Sequence, residues 1–65
     1  MICKIVHYSE DEFNESVVLQ IQDDLVVGEN LYINQQHTLT IEHVIQKGND
    51  ITILDGSKIL KLKLA

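Results

Sequence analysis

The strongest constraint on this chain is a spacing of two. Between Gly28 and Leu64, apolar side chains alternate through four short runs: Leu31-Tyr32-Ile33, Thr38 to Ile45, Ile51 to Leu54, and Lys58 to Leu64. Leu31 and Ile33, Leu39 and Ile41, Ile51 and Ile53, and Leu60 and Leu62 each fall two positions apart, so an extended chain puts each pair on one face. Thr40, Thr52, Lys61 and Lys63 take the other face. Turn-forming residues separate the runs: Asn34-Gln35-Gln36-His37, Gln46 to Asp50, and Asp55-Gly56-Ser57. Asp-Gly between alternating runs signals a hairpin, because glycine accepts the positive φ of a tight turn. Lys47-Gly48-Asn49-Asp50 supplies a second, slightly longer turn of the same kind. The pattern predicts an antiparallel meander.

One run departs from the rule. In Leu39-Thr40-Ile41-Glu42-His43-Val44-Ile45, strict alternation would turn His43 inward and Val44 outward. A bulge at Glu42-His43 would return Val44 to the core and bend the strand. Bent, bulged strands are how short meanders close into small barrels. With the strands of the first half, the expected fold is all-β: five to six antiparallel strands closing into an SH3-like or similar barrel, as one domain over residues 1–65.

In that first half, Ile2 to Tyr8 reads as a strand with two apolar faces, Cys3 and Ile5 on one and Ile2, Val6 and Tyr8 on the other. Such a strand is central or covered by another chain. Ser9 to Ser16 reads as a solvated loop pinned by Phe13, with Ser9-x-x-Glu12 matching the capping box of a single helical turn. Val17, Leu19 and Ile21 alternate with Val18, Gln20 and Gln22 as a second strand. The segment Asp23 to Asn30 follows, with apolar Leu25-Val26-Val27 and then Gly28. Val27-Gly28-Glu29-x-Leu31-x-Ile33, followed by a β-run, a glycine turn and another β-run, resembles the carbon storage regulator family of small RNA-binding proteins. The resemblance covers about half the chain. That family opens with a strand ending in basic residues, where this chain carries Asp23-Asp24, and it closes with a helix missing here. No functional residue is carried over from it.

Sixty-five residues sit near the lower limit for independent folding, since so short a chain buries only about 60% of its unfolded surface. A single cysteine allows no disulfide within the chain and fits a reducing compartment. The amino terminus lacks signal-peptide architecture, and no apolar run approaches the ~20 residues of a membrane helix. A cytoplasmic protein, cellular or virally encoded, with no membrane association is expected.

The net charge of −5 is uneven. Residues 1–30 carry seven acids, Glu10, Asp11, Glu12, Glu15, Asp23, Asp24 and Glu29, against Lys4, whereas residues 31–65 carry three acids against four lysines. Such a field disfavours non-specific binding to nucleic acid. It suits contact with a basic protein surface, toward which the seven acids would steer the chain. The same surface reads as a calcium site only if spaced ligands and a central glycine accompany it, and they do not.

Chemistry-bearing clusters are sparse. Cys3, His7, His37 and His43 are the soft metal ligands, with Cys3 and His7 expected on one strand face, but no paired CxxC or HxxxH spacing announces a zinc site. Cys3 with His7, or Ser16 with a histidine, could form a nucleophile pair, yet a thiol on a buried strand is usually inert packing. The three glycines fall in three different turns, so no phosphate cradle can be assembled. The reading is therefore non-enzymatic, without metal or cofactor: a small binding module, inhibitor or regulatory adaptor, of a kind phages and mobile elements encode.

Two alternatives stand beside it. Lys47, Lys58, Lys61 and Lys63 could contact nucleic-acid phosphates in a small-barrel regulator. No arginine or aromatic stacking set accompanies them, and lysines on a terminal strand also prevent edge-to-edge aggregation. The third is a structural homo-oligomer subunit. Fourteen inward candidates suffice for a core: Cys3, Ile5, Val17, Leu19, Ile21, Leu31, Ile33, Leu39, Ile41, Val44, Ile51, Ile53, Leu60 and Leu62. Ile2, Val6, Val18, Val26, Val27, Tyr32, Ile45 and Ile59 are left over, a surplus that most simply predicts a two-fold dimer.

Overall fold

A computed structural model describes residues 1–12, 17–22 and 24–65. The described chain is all-β, with seven strands: β1 (Ile2–Tyr8), β2 (Val18–Gln20), β3 (Asn30–Tyr32), β4 (Thr38–Thr40), β5 (His43–Lys47), β6 (Asp50–Asp55) and β7 (Lys58–Leu64). They form two antiparallel sheets, a five-stranded one in the order β2-β1-β7-β6-β5 and the two-stranded pair β3-β4. The meander is therefore confined to β5-β6-β7, and the first and last strands of the chain pair at the centre of the larger sheet.

The turns explain the register. Asp55 lies opposite Lys58, so only Gly56 and Ser57 bridge β6 and β7, with Gly56 at φ 58°. Glycine at the first of two loop positions suits a hairpin whose strands keep their right-handed twist. Lys47 lies opposite Asp50 in the same way, so the turn at Gly48-Asn49 is as short as the other, not longer.

Three expectations need correction. The run from Thr38 to Ile45 is not one bulged strand but two strands in different sheets. Ile41 donates its N–H to Glu29 O at 2.9 Å, on the β3 side, while Glu42 donates to Leu54 O at 2.9 Å, on the β6 side. Ile41 and Val44 still both turn inward, so the phase shift is real, but a change of sheet produces it. Secondly, the bulge lies in β1 instead: the β1–β7 register shifts between Ile5 and His7. The extra residue, Val6, sends Tyr8 into the core and His7 outward, so Cys3 and His7 do not share a face. Thirdly, the five-stranded sheet stays open, with β2 and β5 at its edges, and its pairings do not complete an SH3-like barrel.

The two-stranded sheet instead packs on the inner face of the larger one, and both bury one cluster. Cys3, Ile5, Leu39, Ile51, Ile53, Leu60 and Leu62 are its fully buried members. Tyr8, Leu19, Ile21, Leu31, Ile33 and Ile41 complete it, and Val17 and Val44 pack against it half-buried. Carboxylates tie the sheets together at one end. Thr40 N donates to Asp55 Oδ2 at 3.0 Å, and Gly56 N donates to Glu42 Oε1. Ser9 does not cap a helical turn; its Oγ accepts from Ile59 N at 2.8 Å. The rest of the expected loop, 13–16, lies outside the described residues.

Leu39 is the fully buried contribution of the small sheet, so its truncation should separate the two layers. Leu39→Ala is expected to cost about 2–5 kcal/mol, against under about 0.5 kcal/mol for Val18→Ala on the exposed face. Urea denaturation followed by circular dichroism measures both.

Candidate functional site

The acids expected to form one surface fall into two groups. Glu10, Asp11 and Glu12 follow β1, where Asp11 N–H donates to Tyr8 O at 3.3 Å. Asp24 lies at the opposite end, because Gln20 pairs with Ile2 and Ile21 N donates to Met1 O at 2.8 Å. Seven residues of strand at about 3.3 Å each put roughly 20 Å between these ends. Asp11 is already engaged: its Oδ2 lies 3.1 Å from His37 Nε2 and its Oδ1 accepts Glu12 N at 2.7 Å. His37 also meets the Tyr8 ring edge-on, with centroids 5.2 Å apart. Glu10 and Glu12 are exposed. Glu15 and Asp23 lie outside the described residues, as does Ser16.

Asp24 and Glu29 come together at a cleft of about 220 Å³ between the exit of β2 and the β3-β4 pair. Ile21, Leu25, Leu31 and Ile41 are its apolar lining, beside Tyr32 and the amides of Gln20, Gln22 and Asn30. A volume this small lies below the ~300–1,000 Å³ of small-molecule pockets and suits one inserted side chain. The backbone fixes the rim. Glu29 N–H donates to Val26 O at 3.2 Å across a turn whose third residue, Gly28, has φ 96°, a conformation such turns reserve for glycine. Gly28 N in turn donates to Ile41 O at 2.8 Å, and Asn34 Oδ1 closes the far end of the hairpin by accepting Gln36 N and His37 N.

Carboxylates and a tyrosine lining one small cleft are groups suited to a lysine ammonium or an arginine guanidinium. The carboxylates accept charge-assisted hydrogen bonds, and the ring attracts a cation over its face. Among the described residues no cationic side chain lines this cleft. Tyr32, 62% exposed, and Val27, 63% exposed, are the most open large apolar residues among those described. Tyr32 was legible only as apolar surplus; alternation places it with Asn30 on the outward parity of β3 and carries no signal that joins it to Asp24 and Glu29.

The lysines divide differently from the expected set. Lys47, Lys61 and Lys63 do lie on the outer face of the five-stranded sheet, but Lys58 is half-buried opposite Asp55 at the rim of the other face. Lys4 takes its place on the outer face, directly opposite Lys63, and His7 lies opposite Lys61. Lys4 could have been found from its alternation with Cys3 and Ile5. Among the described residues no lysine forms an ion pair with a carboxylate. The exposed apolar side chains split as well: Ile2, Val6, Val18 and Ile45 accompany the lysines, whereas Tyr32 lines the cleft and Val26 and Val27 lie in the segment between its two acids.

Among the described residues no three histidine, cysteine or acidic side chains converge as a metal site, and no helix is long and apolar enough to cross a membrane. Comparison with protein-family models, curated proteins and solved structures found no significant match to this chain.

Burial pushes the Cys3 thiol above its ordinary range, against a smaller lowering by the nearby amino terminus. Burial also raises the Tyr8 phenol, helped by the carboxylates of Glu10, Asp55 and Asp11. Both groups stay neutral in the fold at pH values where the unfolded chain ionises them. Their contribution is complete below the unfolded values, about 8.5 and 10, and is lost as pH climbs through the raised native ones. The urea midpoint should therefore hold near about pH 7 to 8 and fall above about pH 9. Tyr8→Phe should flatten the part of that fall above about pH 10, read as the urea midpoint by circular dichroism.

Proposed function

We propose that this chain is a non-enzymatic binding module that receives a basic side chain of a protein partner in the cleft of Asp24, Glu29 and Tyr32. The observation that carries the reading is that Asp24, Glu29 and Tyr32, all exposed, line one cleft together with Ile21, Leu25, Leu31 and Ile41, in a space sized for one side chain. Long-range attraction by the chain's net charge of −5 would bring a basic surface in, and the cleft would register it. Glu10 and Glu12, about 20 Å away along β1, would add steering rather than contact. This is how a small inhibitor or regulatory adaptor works, including one carried by a phage or mobile element: it covers a basic surface without transforming it.

Each charge-assisted hydrogen bond lost should weaken capture by about 1.5–3 kcal/mol, or roughly tenfold or more. With short lysine- or arginine-bearing peptides as probes, Asp24→Asn with Glu29→Gln should reduce affinity by at least that factor in titration calorimetry. Tyr32→Ala should reduce it less, and Glu10→Gln with Glu12→Gln should mainly flatten the salt dependence. Equal affinity of the Asp24→Asn, Glu29→Gln protein and the unmodified chain, both folded by circular dichroism, would reject the cleft.

A further inference from the structure

The outer face of the five-stranded sheet carries a charge arrangement that the fold itself leaves unbalanced. Lys4 and Lys63 are cross-strand partners, and Lys61 lies two residues along β7, opposite His7. Adjacent strands stand about 4.8 Å apart and alternate residues about 6.8 Å, so three ammonium groups and an imidazole share a small patch. Like charges directly opposite destabilise a sheet. Asp50, the next residue in register beyond Lys63, forms no ion pair with it. Ile2, Val6 and Val18, each about half exposed, interleave with these lysines. A partner for this face must therefore be acidic and aliphatic at once.

The chain carries such a surface elsewhere: Asp24, Glu29 and Tyr32 line the cleft, and Val26 and Val27, both exposed, lie between the two acids along the chain. We propose that the lysine face of one copy docks on the acidic cleft of a second copy, joining copies head to tail. The proposal rests on the reading of the cleft as a receptor for basic surfaces and names one such surface. A contact centred on the lysine faces would oppose ammonium to ammonium, so different patches must meet. Exposed aliphatic side chains on both patches supply the apolar area, and the opposite charges set the orientation. A nucleic acid fits this face less well, for the patch offers no arginine and no tyrosine, phenylalanine or tryptophan ring for a base to stack on.

Charge reversal tests the contact. By sedimentation velocity at low salt, the unmodified chain should show a weight-average mass at least twice its 7.4 kDa, falling toward monomer at high salt. Asp24→Lys with Glu29→Lys, and separately Lys61→Glu with Lys63→Glu, should each stay monomeric while keeping the β spectrum in circular dichroism. Mixing the two should restore association, because each reversed patch then meets an opposite one. A monomeric unmodified chain at the highest concentration overturns the proposal, and so does a mixture that fails to associate or a single reversal that still does. A chain that binds basic peptides through the cleft yet remains monomeric removes this inference and leaves the cleft reading intact. A monomer that shifts a single-stranded oligonucleotide through Lys61 and Lys63 assigns the face to a polyanion, which also overturns it.

Discussion

Everything in this fold depends on the two ends of the chain meeting. β1 pairs with β7 from Cys3 opposite Leu64 to Tyr8 opposite Leu60, and these two seven-residue strands are the centre of the five-stranded sheet. Without that pairing there would be a short N-terminal hairpin and a C-terminal meander, each with one apolar face open to water. The entropic cost of closing so long a loop grows only logarithmically with its length, but it must be met before the non-local contacts form. The two-residue turns at Gly48-Asn49 and Gly56-Ser57 ease this, because β5, β6 and β7 can assemble locally and offer β1 a ready edge. Ile5, Leu60 and Leu62 are fully buried along the seam where β1 then attaches, so the pairing and the core form together.

The same seam decides the surface. The bulge at Val6 keeps β1 paired along its length while reversing the phase of its last residues. Tyr8 closes the core at one end and His7 joins Lys61 outside. Lys4 opposite Lys63 follows from the register upstream of the bulge. Away from the strands, the carboxylates separate into those the fold uses and those it does not. Asp55 accepts from Thr40, Glu42 from Gly56 and Asp11 meets His37, so these three fasten the small sheet over the large one. Asp24 and Glu29 have no such task among the described residues, and they border the cleft.

The sequence pattern made some of this legible and could not make the rest so. Alternation identified the inward side chains well, from Cys3 and Ile5 to Leu60 and Leu62, because a period of two is a property of one strand and needs no partner. It also located the phase change near Glu42-His43, since Ile41 and Val44 are both apolar. What caused that change was not readable, because a bulge and a change of sheet shift the phase alike and differ only in which strand accepts the hydrogen bonds. Tyr8 was misplaced for the same reason: its facing depends on how β1 meets a strand more than fifty residues away. The acids were recognised as a group by composition, yet whether they act together depends on where β2 leaves β1. The hairpin that brings Tyr32 beside Glu29 is visible as a pattern, but the cleft under it is a matter of packing between sheets.

A small domain with a thin margin would be expected to avoid internal conflict, and two features of this one run against that expectation. Lys4 faces Lys63 across the central seam, where an acid in either position would serve stability better, and Tyr32 and Val27 are open to water where polar residues would serve solubility. Local choices that oppose the global fold tend to mark surfaces kept for something other than folding. The two conflicts are complementary in sign, one basic and aliphatic, the other acidic, aliphatic and aromatic, and the scaffold holds them on different faces. Because both faces take their geometry from β1, directly through Lys4 and through the exit of β2 beside Met1, a chain that folds at all presents both. The pairing that closes the fold thus also sets the charges at fixed positions on its two faces.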